Sequence, residues 1–209
     1  AKWIWAPCER TLPNTFVCFR VHIPVSGEIC SAVGHILASS RYLLTLNGRR
    51  LQWGPAPADP RYEEADPLDL TAQLQPGENV LGVRVCYFGY GDGTWVAGRP
   101  GLLFRVDITY TDGRRQQVVS DHHTGVWIDA SHPAGQYKRW LLRALQEEYD
   151  ARLDAVGFDT PDFAHPEWFE PAMELPGSAA KPSSMNGAGD YLFDTSPADT
   201  ASACIRRRS

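Results

Sequence analysis

The stretch Arg41-Tyr42-Leu43-Leu44-Thr45-Leu46-Asn47-Gly48-Arg49-Arg50-Leu51-Gln52-Trp53 decides the fold. Its first six residues read as a strand, and Asn47-Gly48 readily supplies the two positive φ angles of a type I′ turn. The dipeptide therefore predicts a hairpin from Tyr42–Leu46 into Arg49–Trp53. On the N-terminal side, Thr15–Val25 alternates: Phe16, Cys18 and Arg20 face one way, Val17, Phe19, Val21 and Ile23 the other. That segment reads as a strand closed by Pro24. Ile29–Leu37 mixes apolar with small polar residues, and Ala38-Ser39-Ser40 is a short turn. On the C-terminal side, Pro76-Gly77-Glu78-Asn79 delivers the chain into Val80–Tyr87, whose alternation through Val83 and Val85 predicts a central strand. Leu102–Tyr110, a tight turn at Asp112-Gly113 and Gln116–Ser120 make another hairpin. Short strands at this spacing, with turn signals between them, predict an all-β antiparallel sandwich or jelly roll.

Between the strands lie two long loops. Residues 54–66 carry Pro55, Pro57 and Pro60 with no periodicity, and residues 87–99 are rich in glycine and aromatics. Long loops on a compact scaffold are often where function sits. Beyond Trp127 the pattern weakens. Trp140, Leu141, Leu142, Leu145 and Tyr149 would line one face of a helix, while residues 147–153 suit an extended chain equally well. From residue 176 to 200 the composition is Gly, Ser, Ala and Pro, a loop or linker. The expected organisation is one sandwich module over 1–172 and a linker over 173–209.

Composition excludes several classes. The 209-residue chain, 43% hydrophobic and 22% charged, has an ordinary globular balance, long enough for one sizeable core. A net charge of −5 gives no basic field for phosphates, so no nucleic-acid partner is expected; Arg206, Arg207 and Arg208 are the one dense basic run. No apolar run reaches the roughly 20 residues needed to span a bilayer, so no membrane partner is expected. Cys8, Cys18, Cys30, Cys86 and Cys204 are odd in number, with no CxxC pair, and read as reduced, mostly buried thiols. Such usage favours the cytoplasm, with export left open.

One block carries a resemblance. The run from Arg41 to Gly48, then Gly54-Pro55, Asp69-Leu70-Thr71 and Leu74 to Val85 (LQPGENVLGVRV) resembles the galactose-binding-like sandwich of bacterial glycosidases. Lys2-Trp3-Ile4-Trp5, the Asn14–Arg20 strand, Glu148-Tyr149-Asp150-Ala151-Arg152, Gly157-Phe158 and Trp168 narrow it. Together they resemble the N-terminal part of α-L-rhamnosidases of glycoside hydrolase family 78, over most of residues 1–172. The resemblance implies a catalytic (α/α)6 barrel further along the parent chain, a non-catalytic module here, and sibling modules as partners. Ile205–Ser209 resembles the segment leading into the next module. A β-galactosidase- or β-glucuronidase-like parent is the alternative, and a structural docking domain without sugar affinity is the rival from another class.

Sugars are held by aromatic faces against C–H patches and by planar polar groups on their hydroxyls. Tyr87, Tyr90, Asp92, Trp95 and Arg99 bring those types to one loop, and Trp53, Tyr62, Glu63 and Asp66 to the other. If both loops fall at one end of the sandwich they form a shallow carbohydrate site. The bland alternative makes Trp53 and Tyr87 core or hairpin-edge aromatics. No cofactor is expected, although Asp66, Asp69 and Asp121 invite a calcium reading; Asp69 serves better as a cap for the Thr71–Leu74 turn. Glu147, Glu148 and Asp150 are sequence neighbours without a matching partner, not a glycosidase acid and base, and Arg152 is a natural ion-pair partner for one of them. His122-His123 lacks a third metal ligand and reads as surface loop. Asp112-Gly113 and Asn47-Gly48 read as turn chemistry alone.

Overall fold

The computed structural model describes residues 1–56, 63–89, 98–135, 148–176 and 205–207. Its strands form two sheets. The first holds β1 (Ile4–Trp5), β3 (Ile29–Ala38), β6 (Glu63–Asp69), β8 (Leu102–Tyr110), β9 (Arg115–Val119), β12 (Met173–Glu174) and β13 (Ile205–Arg207). The second, in the order β11-β10-β2-β7-β4-β5, holds β2 (Thr15–Val25), β4 (Arg41–Leu46), β5 (Arg49–Gly54), β7 (Gly77–Tyr87), β10 (Gly125–Ile128) and β11 (Glu170–Pro171). All pairings are antiparallel except β13 beside β6.

Alternation assigns the faces, since successive strand residues point to opposite sides. Val17, Phe19 and Ile23 of β2, Leu44 of β4 and Leu81, Val83 and Val85 of β7 meet Ala32 and Ile36 of β3 and Leu102, Phe104, Val106 and Ile108 of β8 in one fully buried core. At roughly 25 cal/mol per Å2 of buried apolar surface, this layer is the main stabilising term. β7 lies between β2 and β4, the central position its alternation predicts.

Asn47 (φ 51°) and Gly48 (φ 77°) form the expected turn with positive φ at both residues, yet they do more than turn the chain. The Asn47 side chain donates to Asn79 Oδ1 (2.9 Å) and accepts from the Val80 N–H (2.8 Å). Fully buried Asn79 in turn donates to the carbonyls of Gln75 (2.7 Å) and Ile23 (3.3 Å), tying two turns and the end of β2 together. Gly48 N–H donates to the Asp159 carbonyl (3.0 Å), and a Cβ there would meet Thr160.

Other expectations shift at their boundaries. Pro24 does not close β2, which pairs through Val25 with Gly77. Strand β6 begins inside the expected 54–66 loop, and Ala65 and Asp66 are buried. Within 173–209, β12 pairs with β1 and β13 with β6, so strand pairing continues past residue 172. Ala151–Leu153 is a single 3-10 turn capped by Asp150; residues 136–147, with Trp140, Leu141, Leu142 and Leu145, lie outside the described residues. Among the described cysteines only Cys18 is buried, with Cys8 and Cys86 half-buried and Cys30 exposed. Among the described residues no helix is long and apolar enough to cross a membrane.

Residues 148–170 cross the outer face of the second sheet as a strap. Arg20 of β2 donates to the carbonyls of Phe158 and Thr160, the latter at 2.8 Å. Arg84 of β7 bonds Asp154 (2.6 Å) and lies 3.3 Å from Asp129. Burial opposes the charge on Arg84, but Cys18, Asp129 and Asp154 around it raise its pKa above the usual arginine value. Beneath the strap, Cys18, Ala155 and Phe158 form a second small core with Trp127, Phe163 and Phe169. Burial pushes the Cys18 thiol up to about 12.

Candidate functional site

Strand direction brings the two expected loops to one end. Gly54, the last residue of β5, lies opposite Tyr42 near the start of β4, and Asp66 of β6 lies opposite Ile36 near the end of β3. Tyr87, the last residue of β7, lies opposite Thr15, and Leu102, the first of β8, opposite Ala38. The described ends of both connections therefore leave the second sheet and enter the first at the same end of the sandwich. Tyr62, Tyr90, Asp92 and Trp95 lie outside the described residues.

The flanking candidates part ways. Trp53 is 71% exposed on β5, opposite Leu43. Tyr87 is buried, set edge-on to Trp5 at 6.0 Å, with its hydroxyl donating to the Gly98 carbonyl (3.0 Å). It is a core aromatic whose hydroxyl ties down the far end of its loop, and its buried ring offers no face to solvent. Arg99 donates to the Pro176 carbonyl (2.8 Å).

Under the loop ends sits a polar group that the sequence reading missed. Gln52 donates to the Tyr42 hydroxyl (2.6 Å), which donates to Asp66 Oδ2 (2.7 Å), and Arg41 donates to the Pro55 carbonyl (2.9 Å). Gly54 leaves the space that Tyr42 and Asp66 fill, and its bond to Pro55 is cis. A buried phenol needs a partner, and Asp66 supplies it. The signal for this, a tyrosine on the inward phase of a strand, names the need and not the residue 24 positions away that meets it.

The three calcium candidates have separate duties. Asp66 serves Tyr42; Asp69 accepts from the Thr71 N–H (2.9 Å), and its bonds to Thr71 hold its carboxyl below the usual range. Asp121 accepts from the His123 N–H (2.8 Å). Among the described residues no three His, Cys, Asp or Glu side chains are gathered as metal ligands. The His122 and His123 rings lie 3.9 Å apart, and His122 Nδ1 sits 3.2 Å from Glu174.

Neither acid pair nor triad emerges among the described residues. Asp150 grips Arg152 (2.6 Å), whose guanidinium and backbone N–H lower its pKa, and Glu148 is exposed; Glu147 lies outside the described residues. Asp129, Ser131 and His132 have the residue types of a hydrolytic triad. Here Ser131 Oγ donates to Asp129 Oδ1 (2.5 Å), and both lie by the same ring nitrogen, His132 Nδ1, at 3.0 Å from the serine and 3.2 Å from the aspartate. Nucleophile activation needs the serine and the acid on opposite ring nitrogens. All three residues are buried, and the group is a capped turn stacked on Phe16 at 4.0 Å.

A β-sandwich with its crossing connections starting and ending at one end, and a strap clamped over one sheet, defines the class: a two-sheet, almost wholly antiparallel β-sandwich module. The sequence profile of the alpha-L-rhamnosidase N-terminal domain matches residues 27–188, and the chain belongs to that family. Over 137 residues it is 31% identical to an alpha-L-rhamnosidase of Streptomyces avermitilis, covering 61% of this chain and 13% of that one. The crystal structure of a GH78 rhamnosidase of Bacillus sp. GL1 superposes with a TM-score of 0.72 at 28% identity, over 89% of this chain and 19% of that one. A Pleurotus ostreatus lectin in complex with GalNAc shares the fold alone, with a TM-score of 0.57 at 20% identity over 85% of this chain and 43% of the lectin. The chain thus spans less than a fifth of the two rhamnosidases' length.

Proposed function

We propose that the chain is a non-catalytic accessory module of an enzyme acting on α-L-rhamnosides, and that its loop end holds carbohydrate for that enzyme. The observation that carries this reading is that the ends of both aromatic-bearing loops lie at one end of the sandwich, beside a strand tryptophan with its ring in solvent. A rigid exposed aromatic is what a pyranose C–H face requires. Trp53, Tyr62, Tyr90, Asp92, Trp95 and Arg99 are the proposed contacts, with Tyr87 reassigned to support. Relatives named as rhamnosidases supply the sugar class, and the GalNAc-binding lectin illustrates that this fold accommodates a saccharide. Free thiols fit a reducing compartment. Membership of the rhamnosidase family sets aside a β-galactosidase-like parent.

A second reading, docking onto sibling modules without sugar affinity, is favoured by the brevity of the chain relative to its relatives. Calorimetric titration with L-rhamnose, an aryl rhamnoside and a galactoside separates the two. Saturable binding weakened by Trp53→Ala or Trp95→Ala supports the sugar reading; no heat with any of them leaves docking. Hydrolysis of the aryl rhamnoside by the purified chain would overturn the non-catalytic assignment.

A further inference from the structure

Asn47-Gly48 turns the chain, but an Asn-Gly pair also carries chemistry of its own. The backbone nitrogen of the glycine can attack the asparagine Cγ. A new Cγ–N bond forms, the Cγ–Nδ2 bond breaks, and Nδ2 leaves as ammonia with the proton lost from the glycine N–H. Water then opens the succinimide, at Cγ to give aspartate or at the main-chain carbonyl carbon to give isoaspartate. Glycine favours the attack because it has no Cβ to hinder the approach. The reaction therefore needs two groups to be free, the side-chain amide of Asn47 and the N–H of Gly48.

The fold ties down both, from different sides. Asn47 Oδ1 accepts from the Val80 N–H (2.8 Å), Nδ2 donates to Asn79 Oδ1 (2.9 Å), and the Asn47 N–H donates to the Val80 carbonyl (2.9 Å). Asn79 is fully buried and its Oδ1 also accepts from the Gln75 N–H (2.9 Å), so the partner is itself held. The nucleophile belongs to the strap: the Gly48 N–H donates to the Asp159 carbonyl (3.0 Å). Arg20 grips the carbonyls of Phe158 and Thr160 on either side of Asp159. The strap is seated closely there, since a Cβ on Gly82 of β7 would run into the Asp159 side chain.

We propose that Asn47 is a conditional deamidation site, silent in the native module because the strap withholds the Gly48 N–H, and armed when the strap lifts. The conversion runs one way. Aspartate at this position has no N–H for Asn79 and sets oxygen against oxygen, while isoaspartate adds a backbone atom to the turn and breaks the register of β4 with β5. Either product loosens the hairpin against which Asp159 and Thr160 rest, so a strap that has once lifted reseats less well and leaves a permanent chemical mark.

Timed incubation of the 209-residue chain in mildly alkaline buffer tests this, with peptide mass mapping for the one-dalton gain at Asn47 and methyltransferase labelling for isoaspartate. Asn186-Gly187, the other Asn-Gly pair of the chain, is followed in its own peptide as a measure of the reactivity of the buffer. Conversion at Asn47 should be at least about 10-fold slower in the native chain than in urea, because it waits on local opening. Phe158→Ala, which loosens the strap, should raise the native rate several-fold while circular dichroism reports a folded sandwich. Should that variant not fold, Arg20→Lys, which keeps the charge but shortens the grip, takes its place. Equal rates in the native chain and in urea would overturn the protection. A slow rate that the folded strap variant leaves unchanged would assign the silence to the hairpin alone and overturn the part of the strap. In Asn47→Asp, the mimic of one product, Cys18 beneath the strap should react faster with a thiol reagent; unchanged reactivity would overturn the loosening of the strap by its own mark.

Discussion

The two sheets turn very different outer faces to their surroundings. The second sheet presents Cys18, Arg20, Arg84 and Trp127 outward, and the chain itself covers them with residues 148–170, burying Phe158 and Ala155 against them. The first sheet presents Val33, His35, Arg105 and Asp107, and among the described residues no such strap crosses them. Covering a face requires groups that gain from it. Buried guanidinium groups with carbonyl and carboxylate partners, over apolar rings, gain when a strap excludes water; exposed ion pairs between neighbouring strand residues gain little.

The contrast can be broken by substitution. Phe158→Ala should produce the largest effect, a loss of about 3 kcal/mol in chemical denaturation, because it empties the small core under the strap. A loss below about 1 kcal/mol would show that the strap is merely laid on the sheet. Asp154→Ala comes next, at about 2 kcal/mol, because it leaves the partly buried Arg84 with its nearest carboxylate gone. Gly48→Ala should cost about 1 kcal/mol, since Gly48 has positive φ and Thr160 stands where the methyl would go. On the bare sheet, Asp107→Asn should leave the unfolding midpoint unmoved, and a clear drop would mean that this face carries structural weight.

Thiol chemistry sharpens the same comparison without touching stability. Only the thiolate reacts, and Cys18 is buried with a pKa pushed up to about 12, whereas Cys30 is exposed. At pH 8, alkylation followed by peptide mass mapping should label Cys30 readily and leave Cys18 unmodified. Raising the pH towards 10 should hardly change this, because the thiolate fraction of Cys18 stays small until the pH nears 12. In Phe158→Ala, Cys18 should become reactive.

Much of the sandwich was legible because strand alternation has a short period and the Asn47-Gly48 turn is a local matter. Arg41–Leu46 and Leu102–Tyr110 have the expected limits, since each strand's apolar phase and its bounding turn lie within a dozen residues. The strand at Glu63–Asp69 was hidden by Pro67 and by Asp66, a charge that looks like loop until Tyr42 is brought to it. For the candidate site, the residue types were readable and their fates only in part. Tyr87 shares the inward phase of Val83 and Val85, so its burial was readable from the strand pattern, whereas the exposure of Trp53 at the edge strand β5 was decided by the sheet order.

The sequence by itself determined an all-β chain with two aromatic-bearing loops, because pleat and turn preferences act between near neighbours. The tertiary structure alone decided that these loops leave the same end, that Asn79 and Asp66 serve partners tens of residues away, and that one sheet is strapped while the other is bare. Those outcomes depend on which strands become neighbours across the sandwich, and burial and charge pairing are settled only once they do.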